Sequence, residues 1–180
     1  YVLAKGSISR HRAPYYFEKI KINYSEVKSM NIDGLAAIVT GGASGLGEAS
    51  ARALSVEGAK VAVLDRNNEG ARAVAKDIGG TGIECDVTDT KSMEDAIKVA
   101  SDVHGAARIV VNCAGIGPAA RVISRTGAMD LKDFTKVIEI NLIGTFNTLR
   151  LTAAAMQSLN QLDTGERGII INTASVAAFE

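Results

Sequence analysis

The residues best suited to chemistry lie in two stretches, Thr40-Gly41-Gly42-Ala43-Ser44-Gly45-Leu46-Gly47 and Leu64-Asp65-Arg66. Gly41, Gly45 and Gly47 allow positive φ and a close approach of the backbone to a ligand. A helix opening at Leu46 aims its first N–H groups and the positive end of its dipole at the same spot, beside Ser44. That combination suits a pyrophosphate. It is not a Walker-type loop, because no Gly-Lys-Ser/Thr follows. Glycines used only to pack a tight strand-to-helix turn would look alike in isolation; the position between a first strand and a first helix favours the ligand loop. Asp65 ends the next apolar run, roughly 20 residues beyond the loop, where a carboxylate holds adenosine ribose hydroxyls. The same charge repels the extra phosphate of NADP, so NAD is the expected cofactor. Arg66 is a basic neighbour able to accommodate that phosphate, and an Asp ahead of a helix also suits an ordinary N-cap.

These residues need a scaffold that sets strand ends beside helix starts. From residue 34 onward, apolar runs of strand length alternate with amphipathic stretches. Strands are expected over 35–40, 60–65, 82–85, 108–112 and 168–173. Helices are expected over 46–57, 69–78, 91–103 and, after a longer loop, most of 131–159. The runs AAIVT, VAVL, IVVN and IIIN are nearly all apolar, as in strands buried on both faces. Such alternation predicts an α/β fold, a doubly wound parallel sheet with helices on both faces and strand order 3-2-1-4-5.

The 180 residues suffice for one sizeable domain. Lys+Arg 20 against Asp+Glu 20 gives no net charge, which argues against a nucleic-acid or acidic-membrane partner. No apolar run reaches the length of a membrane span. The two cysteines, Cys85 and Cys113, make neither metal spacing nor a disulfide framework. No metal is therefore expected, and the reducing cytoplasm is the expected compartment. Residues 1–29 differ from the rest. They hold all four tyrosines and the basic clusters Arg10-His11-Arg12 and Lys19-Ile20-Lys21, without a sustained period. They are expected to lie outside the fold as a leader or non-native extension, leaving 30–180 as the NAD-binding domain. A mitochondrial leader is the alternative, against which Glu18 and Glu26 count.

Five ordered motifs across residues 34–180 resemble the short-chain dehydrogenase/reductase family, whose fold is Rossmann-like. The loop from Thr40 to Gly47 is similar to its TGxxxGxG. Asp86-Val87 resembles its adenine-contacting pair, and Asn112-Cys113-Ala114-Gly115 its NNAG motif, with Cys113 in place of the second Asn. Asn141 in INLIGTF resembles its active-site Asn, and Ser175 in NTAS its catalytic Ser. NCAGIG, DFTKVIEINLIGTFNTLRL and RGIIINTASVAAFE are further similar to the type 2 3-hydroxyacyl-CoA dehydrogenases, a group also described as hydroxysteroid dehydrogenases. The resemblance implies NAD-dependent oxidation of a 3-hydroxyacyl-CoA to the 3-ketoacyl-CoA. It also implies a homo-oligomer, a tetramer by family, for the complete protein. No residue independently reads as a CoA site. A steroid or another secondary alcohol, and a non-catalytic NAD-binding or subunit-interaction module, are the rival readings.

In that family a Tyr beyond the Ser, with a Lys four residues later, serves as general acid/base. The Lys and the cationic nicotinamide lower a phenol that ordinarily titrates near 10. The Ser shares the charge developing on the substrate oxygen, and the Asn holds the Lys through water. No Tyr follows Tyr24 in this sequence. The 180-residue chain is therefore expected to lack the acid/base and the last strands of the fold, and to be inactive. Tyr24-Ser25-Glu26-Val27-Lys28 fits Tyr-x-x-x-Lys, but it precedes the first strand and reads as a chance match. Cys113 is expected to pack beside the cofactor, with its backbone near the nicotinamide ribose. His11 and His104 are expected in surface loops. Phe134, Val137, Ile138, Phe146 and Leu149 are expected to be core or subunit contact.

Overall fold

The computed structural model of the chain describes residues 29–118, 120–125 and 127–175. Three strand–helix units come first: β1 (Ala36–Thr40) with α1 (Gly45–Val56), β2 (Lys60–Asp65) with α2 (Asn68–Ile78), and β3 (Thr81–Glu84) with α3 (Thr90–His104). After β4 (Ile109–Asn112) a long connection carries a small antiparallel hairpin, β5 (Ile123–Ser124) against β6 (Gly127–Ala128). Then follow α4 (Leu131–Ile138), a π-helical turn (Glu139–Gly144), α5 (Thr145–Gln157) and β7 (Ile169–Asn172).

The sheet is parallel, in the order β3-β2-β1-β4-β7. This is the expected 3-2-1-4-5, with β7 as the fifth strand. Direction along the sheet reverses between β1 and β4, which opens a crevice at their carboxyl ends.

Strand alternation divides the core in two. Ala37, Val39, Val61, Val63, Ile109 and Val111 point to one face and meet Ala51 of α1 and Ala71, Val74 and Ala75 of α2. Ile38, Ala62, Leu64 and Val110 point to the other and meet Met93, Ala96 and Ala100 of α3 and Met156 of α5. Both faces of β1, β2 and β4 are thus covered, which is why these runs carry almost no polar residue. Fully burying one such Val or Leu stabilises the fold by roughly 1.5–3 kcal/mol. Alanine dominates the helix side, so the helices lie close to the sheet and hold the strand ends firmly.

Four details refine or correct the sequence-based expectations. The connection before α4 is not plain loop; its hairpin has two residues per strand, too short for any period to register. The helix expected over most of 131–159 is interrupted by the π turn. In the stripe expected as core or subunit contact, Phe134 is 55% and Phe146 59% exposed, while Val137, Ile138 and Leu149 are half-buried. His104 is the last residue of α3, not a loop residue, and its Nε2 lies 2.9 Å from Thr81 Oγ1. Partial burial, with Lys60 nearby, lowers its pKa. His11, Tyr24 and Lys28 lie outside the described residues, and the domain division at residue 30 rests on the sequence. Among the described residues no helix is long and apolar enough to cross a membrane, and no group of three His, Cys, Asp or Glu could hold a metal ion.

Candidate cofactor site

The crevice at the carboxyl ends of β1, β2 and β4 contains a cavity of about 410 Å³. Its floor is the glycine loop. Gly41 takes φ +66, and a Cβ there would stand 2.7 Å from Ala114 Cα. A Cβ on Gly47 would stand 2.0 Å from the carbonyl oxygen of Gly41. These two glycines therefore let the loop, the start of α1 and the segment after β4 pack against one another. Gly45 is different: it takes φ +55 and has nothing within 4 Å of a Cβ position, so its surroundings are open.

Helix capping follows the same division. Asn67 accepts from the Gly70 N–H at the start of α2, Asp89 from Ser92 at α3, and Asp130 from Lys132 at α4. Ser44, the N-cap of α1, makes no side-chain cap bond. The first-turn N–H groups of a helix have no intrahelical partner. Those of α1 thus keep donors and positive dipole for an anion at the cavity floor.

Asp65 lines the cavity beside the glycine loop. Its Oδ2 accepts from Ala43 N–H at 3.1 Å and its Oδ1 from Asn67 N–H at 2.9 Å. The ordinary N-cap alternative does not hold, because Asn67 caps α2. Asp65 instead bridges the glycine loop to the turn after β2. An ionised carboxylate offers about four lone-pair sites, so capacity remains for ribose hydroxyls. At the same end, Asp86 Oδ1 accepts from the N–H and hydroxyl of Thr88 at 2.9 and 2.7 Å. Partial burial works against its charge, but Thr88 and the nearby Arg66 outweigh that, and the carboxyl titrates below an ordinary aspartate.

Cavity walls include Gly41, Ser44, Gly45, Leu46 and Gly47, then Asp65, Asp86 and Val87, then Cys113, Ala114 and Gly115. Asn112 is not among them. It is 3% exposed, accepts from Thr40 Oγ1 at 3.4 Å and donates Nδ2 to Asn172 Oδ1 at 2.8 Å. Its side chain joins the ends of β1, β4 and β7, supporting the site from below. Sequence reasoning missed Leu64, Cys85, Ile116 and Ile140 as walls. It also missed Asn147, one of three buried polar residues of α5, whose Nδ2 donates to the Val87 carbonyl at 2.9 Å.

Asn141 lies on the π turn, outside the cavity wall. Its Oδ1 accepts from Ile116 N–H and its Nδ2 donates to the Ile116 carbonyl, both at 2.8 Å. One primary amide thus mimics a strand partner for the segment after β4. Ser175 is exposed and lies beyond β7, at the same end of the sheet as Cys113, whose Sγ is 3.4 Å from Thr173 Oγ1.

Residues 35–180 match the short chain dehydrogenase family. The chain belongs to that family. It is 43% identical over 154 residues to the 3-hydroxyacyl-CoA dehydrogenase type-2 of Homo sapiens, covering 83% of this chain and 59% of that protein. A mitochondrial borneol dehydrogenase of Lavandula x intermedia is 39% identical over 147 residues, covering 81% of this chain and 53% of the relative. Among solved structures, the 3-hydroxyacyl-CoA dehydrogenase type-2 of Mycobacterium avium superposes with a TM-score of 0.76 at 38% identity, covering 82% of this chain and 58% of that one. The chain therefore spans little more than half the length of these short-chain dehydrogenases. The family fits the site: a helix start without a side-chain cap and a carboxylate bonded to the same glycine loop line one cavity. Oxidoreductase chemistry on a small-molecule substrate, with NAD or NADP, is what the family supplies.

Two expectations arise from this geometry. Burial pushes the Cys85 thiol up to about 11, whereas Cys113 is half-buried on the cavity wall. Iodoacetamide at neutral pH should label Cys113 well before Cys85, and NADH should slow that labelling; peptide mass spectrometry reads both. Equal labelling, or no protection, contradicts the described cavity. Asn141→Ala removes both bonds to Ile116, each worth about 1 kcal/mol at most in an exposed setting. NADH affinity should fall several-fold with little change in Tm, and Asn141→Asp should do no better, because its carboxylate would face the Ile116 carbonyl. Unchanged affinity in both variants would remove Asn141 from the support of the site.

Proposed function

We propose that the chain is the cofactor-binding part of an NAD-dependent short-chain dehydrogenase that oxidises a secondary alcohol, with a 3-hydroxyacyl-CoA as substrate class. The observation that carries the cofactor reading is the Asp65 carboxylate, fixed by Ala43 and Asn67 against the glycine loop that leads into the start of α1, where Ser44 makes no side-chain cap bond. In this reading the N–H groups near Gly45, Leu46 and Gly47 take the pyrophosphate. Asp65 takes the adenosine ribose hydroxyls, and Asp86 with Val87 borders the adenine. Cys113, Ala114 and Gly115 border the nicotinamide ribose, with Asn112 and Asn141 holding that segment in place. When bound, the nicotinamide supplies the hydride acceptor. Ser175 then offers a hydroxyl to the substrate oxygen, where a hydrogen bond is worth most as charge develops.

The substrate class rests on the 43% identity to the human 3-hydroxyacyl-CoA dehydrogenase type-2. The 39% identity to a borneol dehydrogenase favours a second reading, in which the site serves another secondary alcohol. For the complete protein we further propose a homo-oligomer. The direct test of the cofactor is calorimetric titration of the chain with NADH and NADPH, repeated on Asp65→Ala. We expect tighter NADH binding in the unaltered protein and a loss of most of that preference in the variant. Equal affinities in the unaltered protein would sink the NAD assignment.

A further inference from the structure

The adenosine end of the cavity holds two acids and one base, and their pairing is uneven. Arg66 is the only basic residue on the cavity wall among the described residues. It directly follows Asp65, so its backbone starts at the ribose end. Its guanidinium nevertheless leans towards Asp86, with Nε 3.8 Å from Oδ2, although the side chain is 65% exposed. Asp86 is not free to follow Arg66 elsewhere, because its other oxygen is held by both donors of Thr88. Asp65 spends bonds on Ala43 and Asn67 and has no ion pair among the described residues. The geometry points to Asp86 as a positioning residue for cofactor selectivity: it holds Arg66 at the adenine side and neutralises it, leaving Asp65 uncompensated at the ribose.

Physically, the effect is one of placement. An exposed ion pair at this separation adds little to stability. Yet a mobile guanidinium one residue from Asp65 would meet a phosphate on the adenosine ribose and offset its repulsion by the carboxylate. Discrimination against NADP is then built from two elements, a repulsive charge that faces the phosphate and a base kept from answering it. The pairing makes Arg66 a latent phosphate ligand, although it belongs to a cavity that otherwise suits NAD. The inference rests on the cofactor reading above and deepens it.

The test is the ratio of NADPH to NADH dissociation constants, measured by titration of the 180-residue chain and four variants. Asp86→Asn keeps the shape and the Thr88 acceptor but removes the charge. It should narrow the NADH preference by about tenfold, the size of one hydrogen bond to a charged group. Asp86→Glu, which keeps the charge, should retain the original ratio. Arg66→Ala alone should change the ratio little, and in Asp86→Asn/Arg66→Ala the gain in NADPH binding should vanish. Tighter NADPH binding in Asp86→Asn that persists without Arg66 overturns the inference, since removal of one negative charge would then explain it. An unchanged ratio in Asp86→Asn overturns it too, while leaving the NAD reading intact. Failure of the unaltered chain to bind NADH overturns both.

Discussion

Gly47→Ala is expected to lower the unfolding midpoint sharply and to abolish NADH binding in the same protein. The added Cβ would sit 2.0 Å from the Gly41 carbonyl oxygen, 2.6 Å from its carbon and 3.0 Å from Gly42 Cα. All three are backbone atoms, so no side chain can swing aside. Either α1 retreats from the glycine loop or the loop leaves β1, and each motion removes the helix start from the cavity floor. Overpacking of this kind costs about 1–3 kcal/mol and occasionally more. Gly45→Ala provides the contrast. Nothing stands within 4 Å of its Cβ position, so the cost is the left-handed backbone at φ +55 alone, roughly 1–2 kcal/mol. Thermal melts and NADH titration separate the two. A Gly47→Ala protein as stable and as well liganded as the parent would refute the described packing of loop on helix.

The second large effect concerns turnover. The 180-residue chain is expected to bind NADH yet to oxidise 3-hydroxybutyryl-CoA below detection. An amide such as Asn141 and a hydroxyl such as Ser175 cannot by themselves accept the alcohol proton at neutral pH. No Tyr follows Tyr24 in the sequence, and loss of a positioned general acid or base costs typically 10²–10⁴-fold. The measurement is NADH absorbance under saturating NAD, with the Tyr24→Phe variant alongside. Turnover in the parent that Tyr24→Phe abolishes would assign the proton transfer to the tyrosine dismissed above as a chance match. Turnover that survives in both would require a different base.

The parts of this molecule that were legible in the sequence are those governed by local chemistry or simple periodicity. β1, β2 and β4 announced themselves because both faces of each are buried and the runs are apolar throughout. The glycine loop was readable because a tight strand-to-helix turn restricts residue type: Gly41 and Gly45 take positive φ, and a Cβ on Gly47 would meet the Gly41 backbone. Asn112 was misplaced because an amide in a motif looks the same whether it faces a ligand or a neighbouring strand; only the pairing of β4 with β7 distinguishes them. The π turn was hidden because one extra residue in a helical turn barely shifts a helical period. The bridge from Asn141 to Ile116 spans two distant segments and has no local signature. The stripe expected as core or subunit contact shows a related limit: an amphipathic pattern gives a face but not what covers it, and Phe134 and Phe146 are exposed in the single chain.

The amides of Asn112 and Asn172 have a role in alignment as well as in support. The run Ile169-Ile170-Ile171 carries isoleucine on both faces, so hydrophobicity does not distinguish one registration of β7 from its neighbours. A slip by one residue would still set isoleucine against β4. It would, however, turn Asn172 to the opposite face, leaving Asn112 Nδ2 buried without its acceptor and breaking the row that continues to Thr40. That row acts as an index mark on an otherwise unmarked strand. Ser175 follows Asn172 closely in the chain, so the mark that fixes the strand also fixes the distance at which its hydroxyl leaves the sheet.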